Sequence, residues 1–276
     1  MLKKYQIQEY KKNGIIKIKK LLKKKDINKI LKNINLLFLN ELKNKKLIDK
    51  KKQVNLLENP KYLDKYRKIY PSEYNNLTLK VMQKFLEVYN IGSTNKILSL
   101  VKCLGLKSPA FSTDPLIMLN SKFTNNKQGM GYAPYHQDWR TIQGSLNCLV
   151  IWVPLVKILS NMGSIFYLPS THKKGLFKTK KHSWFETIPL SNSEIAREKK
   201  DNLEIGDAFI FSSFLVHRSA INKSNKIRVS LQYRFNDLAE QSYIQRNFPV
   251  NYKHAEPKKK IITKNFPKEK DLKSIF

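Results

Sequence analysis

The sequence predicts a mainly β (α+β) fold: a β-barrel or jelly-roll core with an N-terminal helical flank. Three observations predict it. Apolar residues keep helical spacing only in the first 108 residues. From Pro109 onward, short β-rich runs follow one another instead. Turn signals separate those runs, and helices first with short strands afterwards is the order of an α+β or all-β closed architecture.

The elements follow in chain order. Asn13-Gly14 reads as a turn into a short strand that ends at Ile18. Asp26 reads as an N-cap, and Ile27, Ile30, Leu31, Ile34, Leu37 and Phe38 then mark an amphipathic helix to about Lys43. A second helix is expected over Ser72 to Tyr89, with Leu77, Val81, Met82, Phe85 and Leu86 on one side. A third spans Thr94 to Leu104, capped at Thr94 and closed by Gly105. The predicted strands are Leu116 to Asn120, Leu146 to Val153, Ser164 to Leu168, Ala208 to Phe214 and Ile227 to Tyr233. Asn125-Asn126, Asn161-Met162-Gly163, Gly206-Asp207 and Asn222 to Asn225 supply the turns. This divides one domain, 1–276, into a mostly helical flank (1–108), a β core (109–240) with a Lys-rich insertion (173–201), and a C-terminal tail (241–276).

Composition narrows the function class. An apolar fraction of 41% over 276 residues is enough for a packed core. Cys103 and Cys148 form no metal or redox motif, which fits a reduced, cytoplasmic setting. No apolar segment follows the basic N-terminus as in a secretory signal, and Ile34 to Leu39 is far too short to span a bilayer. The net charge of +32 invites an anionic partner. Lysine, asparagine and isoleucine, all from A/T-rich codons, account for it more simply. With no zinc-finger, recognition-helix or RNA-binding motif, a nucleic-acid partner is disfavoured.

Chemistry concentrates in His136-Gln137-Asp138, His217 and Arg228. Two histidines and one carboxylate are the ligand set of a non-haem iron(II) site with open positions. In an extended strand, side chains alternate faces, so His136 and Asp138 would point the same way. Arg228 follows on the next predicted strand, where a guanidinium can grip a carboxylate bidentately, and Ser230 shares its face.

These segments resemble the phytanoyl-CoA dioxygenase family of iron(II)/2-oxoglutarate oxygenases. The likeness runs from Gly14 to about Asp237. It is strongest in Pro134 to Trp139, in Gly163 to Gly175, and from Gly206-Asp207 through His217 to Arg228. Ser170 stands where the family usually has glycine, at a turn position that is not a ligand. The resemblance implies a double-stranded β-helix of cupin-like form. It also implies one iron(II) on His136, Asp138 and His217, with 2-oxoglutarate as co-substrate, dioxygen, and Arg228 on the distal carboxylate. Trp152 falls near the co-substrate by the same resemblance, and Asn120, at the end of the strand before the ligand loop, is expected to touch it too. Asp138 favours hydroxylation, because related halogenases carry a small residue at that place. His172 reads as structural or substrate-facing, and His182 and His254 as exposed and inert.

The expected activity is therefore hydroxylation of a C–H bond in a small or carrier-linked metabolite: a sugar, a phosphonate or an acyl derivative. Lys173, Lys174, Lys178, Lys180 and Lys181 beside the expected mouth tilt the substrate toward an anion. The alternative is a non-catalytic cupin-like module that binds an anionic glycan or nucleic acid.

Overall fold

The computed structural model describes residues 2–122, 132–182, 185–249, 263, 265–273 and 275–276. The chain opens with a helix that the apolar pattern does not announce, α1 (Lys4–Asn13), held through buried Tyr10, whose ring meets Phe276 at 6.1 Å. Gly14, at φ 78°, ends it, and β1 (Ile15–Ile18) follows. An added Cβ at Gly14 would strike the His172 ring, so the glycine is required twice over.

Helix α2 (Lys24–Asn44) buries Ile27, Ile30, Ile34, Phe38 and Leu42 at the predicted spacing. Each such side chain contributes about 1.5–3 kcal/mol. Asp26 is not its N-cap. The helix starts three residues earlier, after Lys23, and Asp26 lies in the first turn, where a carboxylate still favours the helix dipole. A helix absent from the expectation, α3 (Lys61–Ile69), comes next.

The helix expected over Ser72 to Tyr89 is broken. It consists of α4 (Pro71–Asn76), a π turn (Leu77–Val81), a 3-10 turn (Met82–Lys84) and α5 (Leu86–Gly92), with extended backbone at Phe85. The cause is long-range. The buried Gln83 side chain donates to the Thr78 carbonyl and accepts from the Ile117 backbone N–H at 2.6 Å, so it consumes local helix geometry to hold a distant strand. Helix α6 (Asn95–Cys103) closes the flank, with Thr94 accepting from the Ile97 N–H as predicted.

The core sheet is antiparallel, in the order β1, β8 (Ala208–Ser212), β4 (Leu149–Pro154), β10 (Arg228–Asp237), β2 (Pro109–Phe111), and β3 (Leu116–Asn120) also pairs with β10. A second layer holds β5 (Ile165–Tyr167) against β9 (His217–Ser219). Together they form the jelly roll.

Side-chain alternation divides the large sheet cleanly. On β10, Val229, Leu231, Tyr233 and Phe235 pack with the helices, as do Leu149, Ile151 and Val153 of β4. Arg228, Ser230, Gln232, Arg234 and Asn236 take the opposite face, which looks into the jelly roll. There Val150, Trp152, Phe209 and Phe211 join a second apolar cluster with Tyr167 and Cys148.

The Lys-rich insertion contains a 3-10 turn (Thr171–Lys174), the hairpin β6 (Lys180–His182) to β7 (Phe185–Thr187), and α8 (Asn192–Ile195). After β10, α9 (Gln241–Gln245) and α10 (Glu269–Leu272) end the described chain. The Asn125-Asn126 turn and most of the tail after residue 249 lie outside the described residues. No helix among the described residues is long and apolar enough to cross a membrane.

Candidate metal centre

His136 and His217 face each other across a two-residue antiparallel bridge. The His136 N–H donates to the His217 carbonyl at 2.9 Å, and the His217 N–H to the His136 carbonyl at 3.0 Å. Their rings stand 4.2 Å apart between centroids. Asp138 does not reach them by strand alternation. Its backbone is helical (φ −61°, ψ −32°) and opens a short helix, α7 (Trp139–Ile142), in chain order between β3 and β4. Burial of Trp139 and its N–H bond to Ser213 O at 2.9 Å fix that turn. The turn still brings Asp138 Oδ1 to 3.6 Å from His136 Nε2. Ligand atoms of His136, Asp138 and His217 all lie within 4.8 Å of one another, and all three residues are buried.

Their hydrogen bonds place one proton on each ring. His136 Nδ1 lies 2.7 Å from Pro134 O, and His217 Nδ1 lies 3.0 Å from Leu215 O. A carbonyl only accepts, so each Nδ1 carries a proton, and Nε2 is the nitrogen through which each ring can serve a metal. Burial, with His136 alongside, pushes His217 down to about 3, which keeps it neutral. Burial alone would raise the Asp138 carboxyl, but Arg234 and the two histidines outweigh it and hold it well below the usual range. One carboxylate and two imidazole Nε2 atoms are the donor set that iron(II) takes on one face, with three positions left open. The residues fit the metal.

Arg234 is the residue the motif reading missed. Its Nη2 lies 3.4 Å from each Asp138 oxygen and 2.9 Å from Gln232 Oε1. The signal was available, because Arg228, Ser230, Gln232 and Arg234 alternate on one face of a single strand.

The other predicted residues line the same inner face. Arg228 is buried, donates through Nη1 to Gly163 O, and has its pKa lowered to about 10 by burial. Asn120 sits directly across from it on β3, and its buried Oδ1 meets no hydrogen-bond donor among the described residues. Ser230 is buried between Met118 and Pro154 on the neighbouring strands. Trp152 pairs across to Gln232 and Phe209 and belongs to the inner apolar cluster. Cys148 is a free buried thiol, pushed up to about 12 by burial.

His172 is fully buried. Its ring lies edge-on to Phe276 at 4.5 Å, with Nε2 3.2 Å from Lys11 O. It therefore braces the N-terminal helix and the C-terminus and does not face a substrate space. The side chain of His182 and the whole of His254 lie outside the described residues.

Gln137, between two of the candidate ligands, points away from them. Its amide donates to Gly175 O at 2.8 Å and Phe214 O at 2.6 Å and accepts from the Phe177 N–H at 2.9 Å. Arg140 adds a bond to Phe177 O at 2.6 Å. The start of the insertion is thus tied to the turn that carries His136 and Asp138.

The family model for phytanoyl-CoA dioxygenase matches residues 10–230, a match that ends before Arg234. A methylphosphonate hydroxylase from Gimesia maris is 28% identical over 138 residues, 48% of this chain and 49% of the relative. The peroxisomal phytanoyl-CoA dioxygenase of Bos taurus is 27% identical over 176 residues, 60% of this chain and 51% of the relative. The chain thus spans about half the length of these curated relatives. Among solved structures, EctD from S. alaskensis with 2-oxoglutarate and 5-hydroxyectoine superposes with TM-score 0.55 at 12% identity, covering 87% of this chain and 77% of that one.

Proposed function

This chain belongs to the phytanoyl-CoA dioxygenase family, and from that premise we propose that it is an iron(II)/2-oxoglutarate-dependent dioxygenase. It hydroxylates a C–H bond of a small or carrier-linked, anionic metabolite. The observation that carries this reading is the convergence of His136, Asp138 and His217, with Arg228 on the same inner face. Bound iron(II), with 2-oxoglutarate and dioxygen, supplies the oxidising power and leaves succinate and carbon dioxide.

The protein's own residues do the rest. His136 Nε2, His217 Nε2 and one Asp138 oxygen hold the metal. Arg228 receives the distal carboxylate of the co-substrate, with Ser230 and Asn120 as hydrogen-bonding neighbours and Trp152 as an apolar wall. The apolar cluster around Trp152, Phe209 and Phe211 excludes water from the reacting centre. Asp138 fills the coordination position that a halogenase leaves to halide, so hydroxylation is the outcome.

Two features support an anionic substrate. Both curated relatives are named for anionic compounds, a phosphonate and an acyl-CoA. The insertion also carries exposed Lys174, Lys178, Lys180 and Lys181 on either side of the segment that Gln137 grips. The test is succinate release from 2-oxoglutarate by protein loaded with iron(II) under anaerobic conditions, then exposed to oxygen with a panel of phosphonates, sugar phosphates and acyl thioesters. Iron-dependent succinate that one member stimulates is the expected result. No iron-dependent succinate with any member would leave the binding-module reading instead.

A further inference from the structure

We propose that Glu198, in the insertion, is a positioning residue for both histidines of the metal centre, which it clamps from outside the pocket. The inference rests on the metal site described above. It arises from strand parity. His136 pairs with His217 in an antiparallel bridge, so the next pair outward is Tyr135 with Arg218. Side chains alternate, so the histidines point into the jelly roll while Tyr135 and Arg218 point out of it together.

One carboxylate spans that outward pair. Glu198 Oε1 accepts from the Tyr135 hydroxyl at 2.6 Å and from Arg218 Nε at 2.7 Å, and Oε2 accepts from Arg218 Nη2 at 2.7 Å. The Arg218 contact is bidentate, the strong form of a guanidinium–carboxylate pair. The Glu198 side chain is only 11% exposed, so solvent competes weakly for it. Arg218 is also stacked, 4.2 Å over the Phe166 ring and 5.3 Å from the Tyr135 ring. The backbone beside Glu198 is fixed too: Lys199 exchanges two hydrogen bonds of 2.9 Å with Tyr167, which in turn pairs with His217.

The clamp matters because the strands it joins are short. β9 has three residues, and the His136 segment adds one bridge to it. The small net contribution of each hydrogen bond leaves so short a pair weakly held. A shift of one strand against the other would move the two Nε2 atoms apart. Glu198 also neutralises Arg218, whose charge adjoins His217 and would repel a dication. Both effects act in the same direction: loss of Glu198 weakens metal binding.

The experiment titrates the full-length protein with cobalt(II) and follows the visible d–d absorption, at a temperature where circular dichroism shows each variant folded. Glu198→Gln is expected to raise the Kd for cobalt(II) by about tenfold, the low end of the effect of outer-shell partners, and to alter the band shape. Tyr135→Phe, which removes one hydroxyl and endangers folding little, is expected to shift Kd less in the same direction. It is expected to add nothing in the Glu198→Gln background, because the clamp acts as a unit. Glu194→Ala uncaps α8 in the same insertion without touching the clamp, and is expected to leave Kd and spectrum unchanged. Wild-type Kd and spectrum in Glu198→Gln and Tyr135→Phe would overturn the proposal. Failure of the wild-type protein to bind cobalt(II) would instead overturn the metal site itself.

Discussion

Arg234 stands equidistant from the two carboxylate oxygens of Asp138, 3.4 Å from each. That is long for a charge-assisted hydrogen bond, so the attraction is chiefly electrostatic. Without metal, Arg234 is the counter-charge that lets a buried carboxylate remain ionised. Replacing it by methionine leaves Asp138 buried without its nearest fixed counter-charge. Arg234→Met should destabilise the metal-free protein by about 3 kcal/mol, the scale for breaking a buried pair. A dication then takes over the vacated role, so manganese(II) should stabilise the variant more than it stabilises the wild type. Urea unfolding with and without the metal measures both. Equal metal-induced gains would show that Arg234 does not serve the Asp138 charge.

Arg228→Ala should weaken 2-oxoglutarate binding by roughly 2–5 kcal/mol, the scale for truncating one partner of a buried charged pair. Metal binding should persist, since Arg228 contributes nothing to the His136, Asp138 and His217 cluster. Calorimetric titration of 2-oxoglutarate into manganese-loaded protein decides. Unchanged affinity would assign the distal carboxylate to another cation.

Gln137→Met keeps side-chain length but strands two carbonyls and one N–H that the amide now satisfies. The expected cost is about 2–3 kcal/mol, given the penalty for buried unsatisfied groups. The loss should be local. Trypsin should cut first at Lys173, Lys174 or Lys178, and mass spectrometry of early fragments reads this out. Global cleavage with no preference for those sites would mean that Gln137 supports the whole core.

His172 makes stability pH-dependent. Burial, with Lys173 adding repulsion, lowers it from 6.5 to about 4, against the pull of its bond to Lys11. Between those values the unfolded chain binds the proton and the folded chain does not, so stability falls as pH falls. The His172 share of the loss between pH 7 and pH 5 should be about 2 kcal/mol. His217, lowered to about 3, contributes with the same sign from the same starting pH and continues further down. Comparing His172→Asn with wild type by urea unfolding at both pH values isolates the His172 share. An equal pH dependence in both proteins would contradict it.

Where the pattern was local, the sequence was legible. Ile27, Ile30, Ile34 and Phe38 announce α2, and Leu116 to Asn120 coincides with β3. The three candidate ligands were visible as residue types at recognisable separations. Their geometry was not: Asp138 turns into a helix because Trp139 is captured by Ser213, far along the chain. The break in the Ser72 to Tyr89 helix depends in the same way on Gln83 reaching Ile117. Arg234 was readable by strand parity but lay beyond the motif that drew attention to Arg228. Glu198 carried no local sign, since a glutamate in a polar, Lys-rich segment looks like ordinary surface.

The strict division of β10 sets how this protein can change over time. Substitution at Ser230, Gln232 or Arg234 alters the pocket while leaving the helical core untouched. Inserting or deleting a single residue before Tyr233 inverts the parity of every position from there on. Tyr233 and Phe235, now packed with the helices, would be driven toward the metal, and Arg234 and Asn236 into an apolar layer. New specificities are therefore reachable by exchange of letters along this strand, whereas a change in its length is a change of fold. Length variation among related chains is expected in the 173–201 insertion and not between Arg228 and Asp237.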